Sequence, residues 1–189
     1  MEERINSSRK ADSAALIGLC IALVFVSTRV LQVPIPLGYA HLGNAMILLT
    51  AVFLGPKAGA LAGGLGSALA DLTSFPVWTV PTLIIKTLMG WLCGRIAWSG
   101  KIQGNIRLSS PSVFFGTAIA TMEMIAGYVI GGSVLYGSWT TGVLQTPGLA
   151  VEGLVGMTAF YLLGNLLART GLAKNYGYHK GEVKRADRS

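Results

Sequence analysis

The chain reads as an all-α integral membrane protein, a six-transmembrane-helix bundle with both termini cytoplasmic. Three observations predict that class. Of 189 residues, 52% are hydrophobic and 12% charged, about half the charge fraction usual in a soluble domain. The apolar residues gather into segments close to the roughly 20 residues that a membrane helix needs. The lysines and arginines collect in the loops of one side, the pattern that orients membrane helices.

Residues 1–12 are polar and read as a cytoplasmic N-terminal segment. The first helix is expected over 13–33. That run is too long for a signal-peptide core, and it lacks a small-x-small cleavage site. Val33-Pro34-Ile35-Pro36-Leu37-Gly38 follows as an ordered non-helical loop, because proline locks φ and has no N–H to donate. The second helix is expected over 40–54 and the third over 57–72, with a turn at Gly55-Pro56-Lys57. Both are short, so their ends should be buried in protein; the alternative is a re-entrant 40–72 and five spans. The fourth helix is expected over 80–98, the fifth over 111–132 and the sixth over 147–168. Residues 13–168 then form one membrane domain. Residues 169–189 form a basic cytoplasmic tail.

With six spans, the termini share a side with Lys57, Arg95, Lys101, Arg107, Arg169 and Lys174. The opposite side has Arg29 near the end of the first helix. The net charge of +7 is compatible with nucleic-acid binding, but the bases lie in tails and short loops with no basic aromatic face. They serve topology instead. Cys20 and Cys93 fall in apolar segments and read as packing residues rather than a disulfide or metal pair. No metal site and no cofactor is expected.

Three ionisable residues, Lys86, Glu123 and Glu152, interrupt apolar segments. A charge in hydrocarbon is unfavourable by about 2.5–3.5 kcal/mol or more, so such residues face a bundle interior or a wet cavity. At about 1.5 Å per residue, Lys86 lies about 9 Å, Glu152 about 8 Å and Glu123 about 14 Å below the outer helix ends. His41, Asn44, Asp71, Trp78, Tyr128, Tyr136 and Trp139 lie towards that end too. A pore would spread polar groups through both halves. Here they stop partway, as in a cup open to the outside. Lys86 can neutralise one carboxylate as a buried ion pair. Glu123 and Glu152 can alternatively form an acid–base pair. The three formal charges sum to −1, which disfavours a strongly anionic ligand. The aromatics suit either a membrane-interface belt or an aromatic ligand. His41 can cap a helix or line the site.

Small residues recur at spacing four: Ala14, Gly18 and Ala22 on the first helix, Gly59, Gly63 and Ser67 on the third, Gly90 and Gly94 on the fourth. Such rows let helix backbones touch. The ordinary reading is packing within the bundle. The functional one is docking of a partner membrane protein, for which the first helix is the better candidate. Catalytic signals are weak. Gly64-Leu65-Gly66-Ser67 is similar to an intramembrane serine-protease motif, but the only histidines are His41 and His179.

His41-Leu42-Gly43-Asn44, Leu54-Gly55-Pro56-Lys57-Ala58-Gly59-Ala60 and Gly63-Gly64-Leu65-Gly66-Ser67-Ala68-Leu69-Ala70-Asp71-Leu72 resemble the substrate-binding S components of energy-coupling factor (ECF) vitamin transporters. So does Pro81-Thr82-Leu83-Ile84-Ile85-Lys86 with Gly90. The branch resembled most is that of hydroxymethylpyrimidine and vitamin B6. The resemblance implies a prokaryotic, multi-pass cell-membrane protein that captures a vitamin in an outward-facing pocket. It implies work with a transmembrane coupling protein (EcfT-like) and two cytoplasmic ATPases, by toppling of the whole subunit. His41, Asn44, Trp78, Lys86, Glu123, Tyr128, Trp139 and Glu152 are the substrate-binding candidates. Ala14, Gly18 and Ala22 match the Ala-xxx-Ala docking pattern, with Gly18 departing from alanine but keeping the small face. The alternatives are an S component for pantothenate or riboflavin, a self-sufficient secondary carrier, and an intramembrane enzyme using Glu123 and Glu152.

Overall fold

In the computed structural model, residues 2–30, 32–35, 38–99 and 108–169 are described. Helix α1 (Glu2–Arg29) is followed by strands β1 (Gln32–Ile35) and β2 (Gly38–His41). Helices α2 (Gly43–Leu54) and α3 (Pro56–Ser74) come next, then a 3-10 turn (Pro76–Trp78) leading into α4 (Thr79–Ser99). Helix α5 (Pro111–Leu135), the short α6 (Trp139–Leu144) and α7 (Thr146–Arg169) complete the order. A helix therefore stands in each expected segment. Three spans among the described residues, Pro76–Ser99, Pro111–Leu135 and Trp139–Leu167, are long and apolar enough to cross a membrane. Ser13–Arg29 and Gly43–Leu54 are shorter apolar helices.

The structure moves several expected boundaries. Helix α1 ends at Arg29 rather than 33, and Val33 belongs to a strand. The segment holding Pro34 is a strand paired antiparallel with β2, Gln32 opposite His41 and Ile35 opposite Gly38, and Pro36 lies outside the described residues. A two-stranded ribbon is all edge, so Pro34 can sit in it without disrupting a central ladder. The second helix starts at Gly43, which leaves His41 on a strand. The polar start of the chain is helical from Glu2. Helix α5 runs to Leu135, and α6 occupies a stretch expected as loop. The basic tail from residue 170 onward lies outside the described residues.

Local chemistry explains the ends. Gly55 joins α2 to α3 at φ 100°, a conformation that suits glycine. Pro56 takes the first position of α3, where its missing N–H is no loss. The Ser110 hydroxyl accepts a bond from the Val113 N–H with Pro111 at the helix start, and Ser138 caps α6 through the Thr141 N–H.

Small residues set the packing. A Cβ on Gly59 would lie 2.8 Å from the Gly90 carbonyl oxygen, and one on Gly63 would lie 2.6 Å from that of Lys86. Helices α3 and α4 therefore touch along their backbones, and the same crossing holds Gly94 against Pro56. On the other side of α3, Gly66 fits under Ile21 and Val24 of α1. The glycines of α3 and α4 are packing residues. The core gathers Val24, Ile47, Leu48, Met89, Cys93, Val113, Met124 and Phe160. Lys86 is buried among them, with 1% exposure.

Candidate functional site

The polar network begins on α4. Thr82, Ile85, Lys86, Met89, Gly90, Cys93, Gly94 and Ala97 are its buried residues, a helical stripe facing the bundle. Lys86 shares that stripe, so its four-carbon stem packs in the core. Its Nζ donates to Asn44 Oδ1 at 2.6 Å and reaches Met124 Sδ at 3.0 Å and Glu152 Oε1 at 3.5 Å. Asn44 Nδ2 donates to the same Glu152 oxygen at 2.8 Å. His41 Nε2 lies 3.3 Å from it. One carboxylate oxygen thus meets donors from α2 and α4 and the imidazole of β2. Bonds across 42, 66 and 108 residues of sequence hold three helices at one level.

Neighbouring elements place these groups. Strand β2 packs on α7, which brings His41 to Glu152. Gly156 leaves room for Asn44, whose Cβ would lie 2.7 Å from a Cβ added there. Burial pushes the His41 imidazole below its ordinary value, outweighing the opposite pull of the Glu152 carboxylate. Its Nε2 faces the Glu152 carboxylate at 3.3 Å. Lys86 and Glu152 then neutralise each other in the network.

An aromatic wing extends from this network to the bundle end where α4 begins. The Lys86 ammonium sits 5.1 Å from the Tyr128 ring centroid, within cation–π range. Tyr128 and Thr82 hydroxyls are 3.0 Å apart. Trp78 stacks obliquely on Tyr128 with centroids 5.5 Å apart. Its Nε1–H donates to the Tyr136 hydroxyl at 3.3 Å.

Of the residues singled out from the sequence, His41, Asn44, Lys86 and Glu152 share one network, with Tyr128 and Trp78 beside it. Lys86 pairs with Glu152 rather than Glu123. The Glu123 carboxylate stands apart, with Oε2 shielded and without a hydrogen-bond partner. Trp139 lies 69% exposed at the start of α6. Among the described residues, no hydrogen bond or ring contact joins it to the network. Sequence reasoning missed Met124 and Gly156. One is a thioether among apolar neighbours and the other a glycine among many, so neither carried a signal. Asp71 and Thr82 did stand within quoted motifs.

This donor and acceptor set offers hydrogen bonds at one level of the bundle, with aromatic ring faces beside it. Residues 9–169 match the family model described as ECF-type riboflavin transporter, S component. The chain belongs to that family. Its members are transporter subunits rather than catalysts, and the fold agrees. A solved S component of a bacterial ECF transporter superposes with a TM-score of 0.64 at 24% identity, over 85% of this chain and 98% of that one. A Pyrococcus woesei protein described as an uncharacterized protein in the gap 3' region is 40% identical over 116 residues. That match spans 60% of this chain and 74% of the relative.

Proposed function

We propose that this S component captures a vitamin or precursor with a single polar heteroaromatic ring, pyridoxine or hydroxymethylpyrimidine, in the region of Lys86, Asn44, Glu152 and His41. The observation that carries the reading is the buried network itself. Its members already exchange hydrogen bonds, so a ligand enters by replacing those partners rather than by meeting bare charges. The mutual neutralisation of Lys86 and Glu152 suits an uncharged or zwitterionic ring. Trp78 and Tyr128 supply ring faces, and Glu123 and Trp139 are outlying members of the same site. The closeness of the four polar groups favours one ring over a fused tricycle. Riboflavin is the second reading, favoured by the description of the matching family model.

In this reading the chain spans a prokaryotic cell membrane six times with both termini cytoplasmic. The site opens outward. Ala14, Gly18 and Ala22 dock a transmembrane coupling protein, whose two ATPase partners hydrolyse ATP while the S component topples. In support, all three residues are exposed on α1, and a Cβ on Gly18 would meet nothing within 4 Å. This row is therefore free of internal packing, unlike the glycine rows of α3 and α4.

The test is isothermal calorimetry of the purified chain against pyridoxine, hydroxymethylpyrimidine, riboflavin and pantothenate, with mass spectrometry of any co-purified small molecule. Binding of a single-ring compound at about −8 kcal/mol or tighter is expected. Riboflavin binding alone would establish the second reading. Failure of all four to bind would sink both.

A further inference from the structure

A second feature lies on the outer face of the α3–α4 pair, away from the polar network. Ala60 of α3 and Leu83, Ile84, Thr87, Leu88 and Trp91 of α4 line an apolar groove of about 430 Å³. The groove follows from the packing of these helices. Glycine contacts bring their backbones together, so α3 offers only the methyl of Ala60. The long side chains of α4 stand above it as a wall. Ile84 and Trp91 are 63% and 43% exposed.

The groove ends in positive charge. Lys57 lies three residues before Ala60, and Arg95 lies four residues after Trp91, each therefore on the groove-facing side of its helix one turn further along. Their backbones are adjacent, because a Cβ on Gly94 would lie 2.5 Å from Pro56 Cα. Both side chains are exposed. Two cations thus flank the mouth of an apolar channel, with an indole between channel and charge.

We infer that this groove is a binding site for an anionic phospholipid. One acyl chain lies along Ala60, Ile84, Leu88 and Trp91, and the headgroup phosphate sits between Lys57 and Arg95. The charges match an anionic headgroup at a helix-lined basic pocket. Trp91 takes the boundary between acyl chain and headgroup, where amphipathic rings are favoured. A partner helix is a poorer occupant. Close helix docking needs small side chains, whereas this wall is made of leucine, isoleucine and tryptophan. A flexible chain adapts to such a wall.

The experiment is native mass spectrometry of the full chain in detergent, titrated with phosphatidylglycerol or with phosphatidylcholine of the same acyl chains. One phosphatidylglycerol per chain is expected to be retained in preference to phosphatidylcholine. The double variant Lys57→Gln/Arg95→Gln should retain it about 30-fold less, as two lost headgroup contacts imply. Ala60→Phe, which fills the groove but keeps both charges, should lose retention as well. Thermal melting in phosphatidylcholine micelles verifies folding of each variant. Should Ala60→Phe fail to fold, the surface charge variant decides alone. Equal retention of both lipids overturns the site, as does equal retention by wild type and the charge variant. Displacement of phosphatidylglycerol by an equal concentration of glycerol 3-phosphate, which lacks acyl chains, also overturns it, because the groove would then add nothing to binding. So does loss of coupling-protein association in the charge variant with phosphatidylglycerol retention unchanged, which assigns the face to a protein.

Discussion

Replacing Lys86 by methionine isolates the energetics of the buried network. Methionine keeps most of the stem volume, so the core around Met89 and Met124 stays filled, and only the ammonium is removed. The Asn44 oxygen then loses its 2.6 Å donor, and the Glu152 carboxylate loses its counter-charge at 3.5 Å. Breaking a buried pair by deleting one partner typically destabilises by about 3–5 kcal/mol. Glu152 keeps the Asn44 donor at 2.8 Å and the His41 imidazole 3.3 Å away, which places the expected loss near the lower end, about 3 kcal/mol. Thermal unfolding in detergent, compared with wild type, measures it. Adding Glu152→Gln removes the uncompensated charge while keeping the shape. The double variant should recover at least about 1 kcal/mol relative to Lys86→Met, because contacting residues do not act additively. Vitamin binding should not recover, since both charged contacts are gone. If Lys86→Met is as stable as wild type, or if the double variant is no more stable than the single one, the ion-pair account is wrong.

Gly18→Leu on α1 should leave stability and vitamin binding unchanged, because its added Cβ meets open space. Pull-down of the coupling protein and ATP-driven uptake should fall sharply; unchanged pull-down would remove α1 as the docking face. The pH dependence of stability tests His41. Because burial lowers its value when folded, the unfolded chain binds the proton more readily. The imidazole's contribution is therefore fully present above its ordinary value of about 6.5 and is lost as pH falls through the lowered folded value. The melting temperature of wild type should fall more steeply than that of His41→Gln between neutral and mildly acidic pH. Parallel curves would show that His41 does not titrate this way.

Much of this architecture was legible in the chain. Apolar segments separated by prolines, glycines and charges located the helices to within a few residues, apart from the start of α1, which lies eleven residues earlier than expected, since a helix in hydrocarbon must satisfy its own backbone. The ends were less legible. The pairing of β1 with β2 depends on cross-strand contacts and on α7 against β2, neither of which the prolines specify. The short helix after Ser138 was hidden for a related reason: a single capped turn has no periodicity to detect. Depth, a count of residues along helices of known rise, placed Lys86, Glu152, Asn44 and His41 at one end of the bundle, but with Glu123 and Trp139 among them. Met124 and Gly156 could not be found that way. A thioether acceptor and a missing Cβ act only through what faces them.

The small-residue rows show the same division. On sequence grounds the rows of α1, α3 and α4 can each pack inward or dock a partner, with only the terminal position of α1 to favour it for docking. The folded chain separates them, since Gly59, Gly63, Gly66, Gly90 and Gly94 meet neighbouring backbone or side chains while Gly18 meets open space. By itself the sequence determined that its few intramembrane charges must turn inward, because hydrocarbon penalises an exposed charge whatever the fold. Only the tertiary structure decided that Lys86 meets Glu152 and not Glu123. That choice depends on the rotation of each helix about its axis and on which helices are neighbours, and both are set by contacts between residues far apart in the chain.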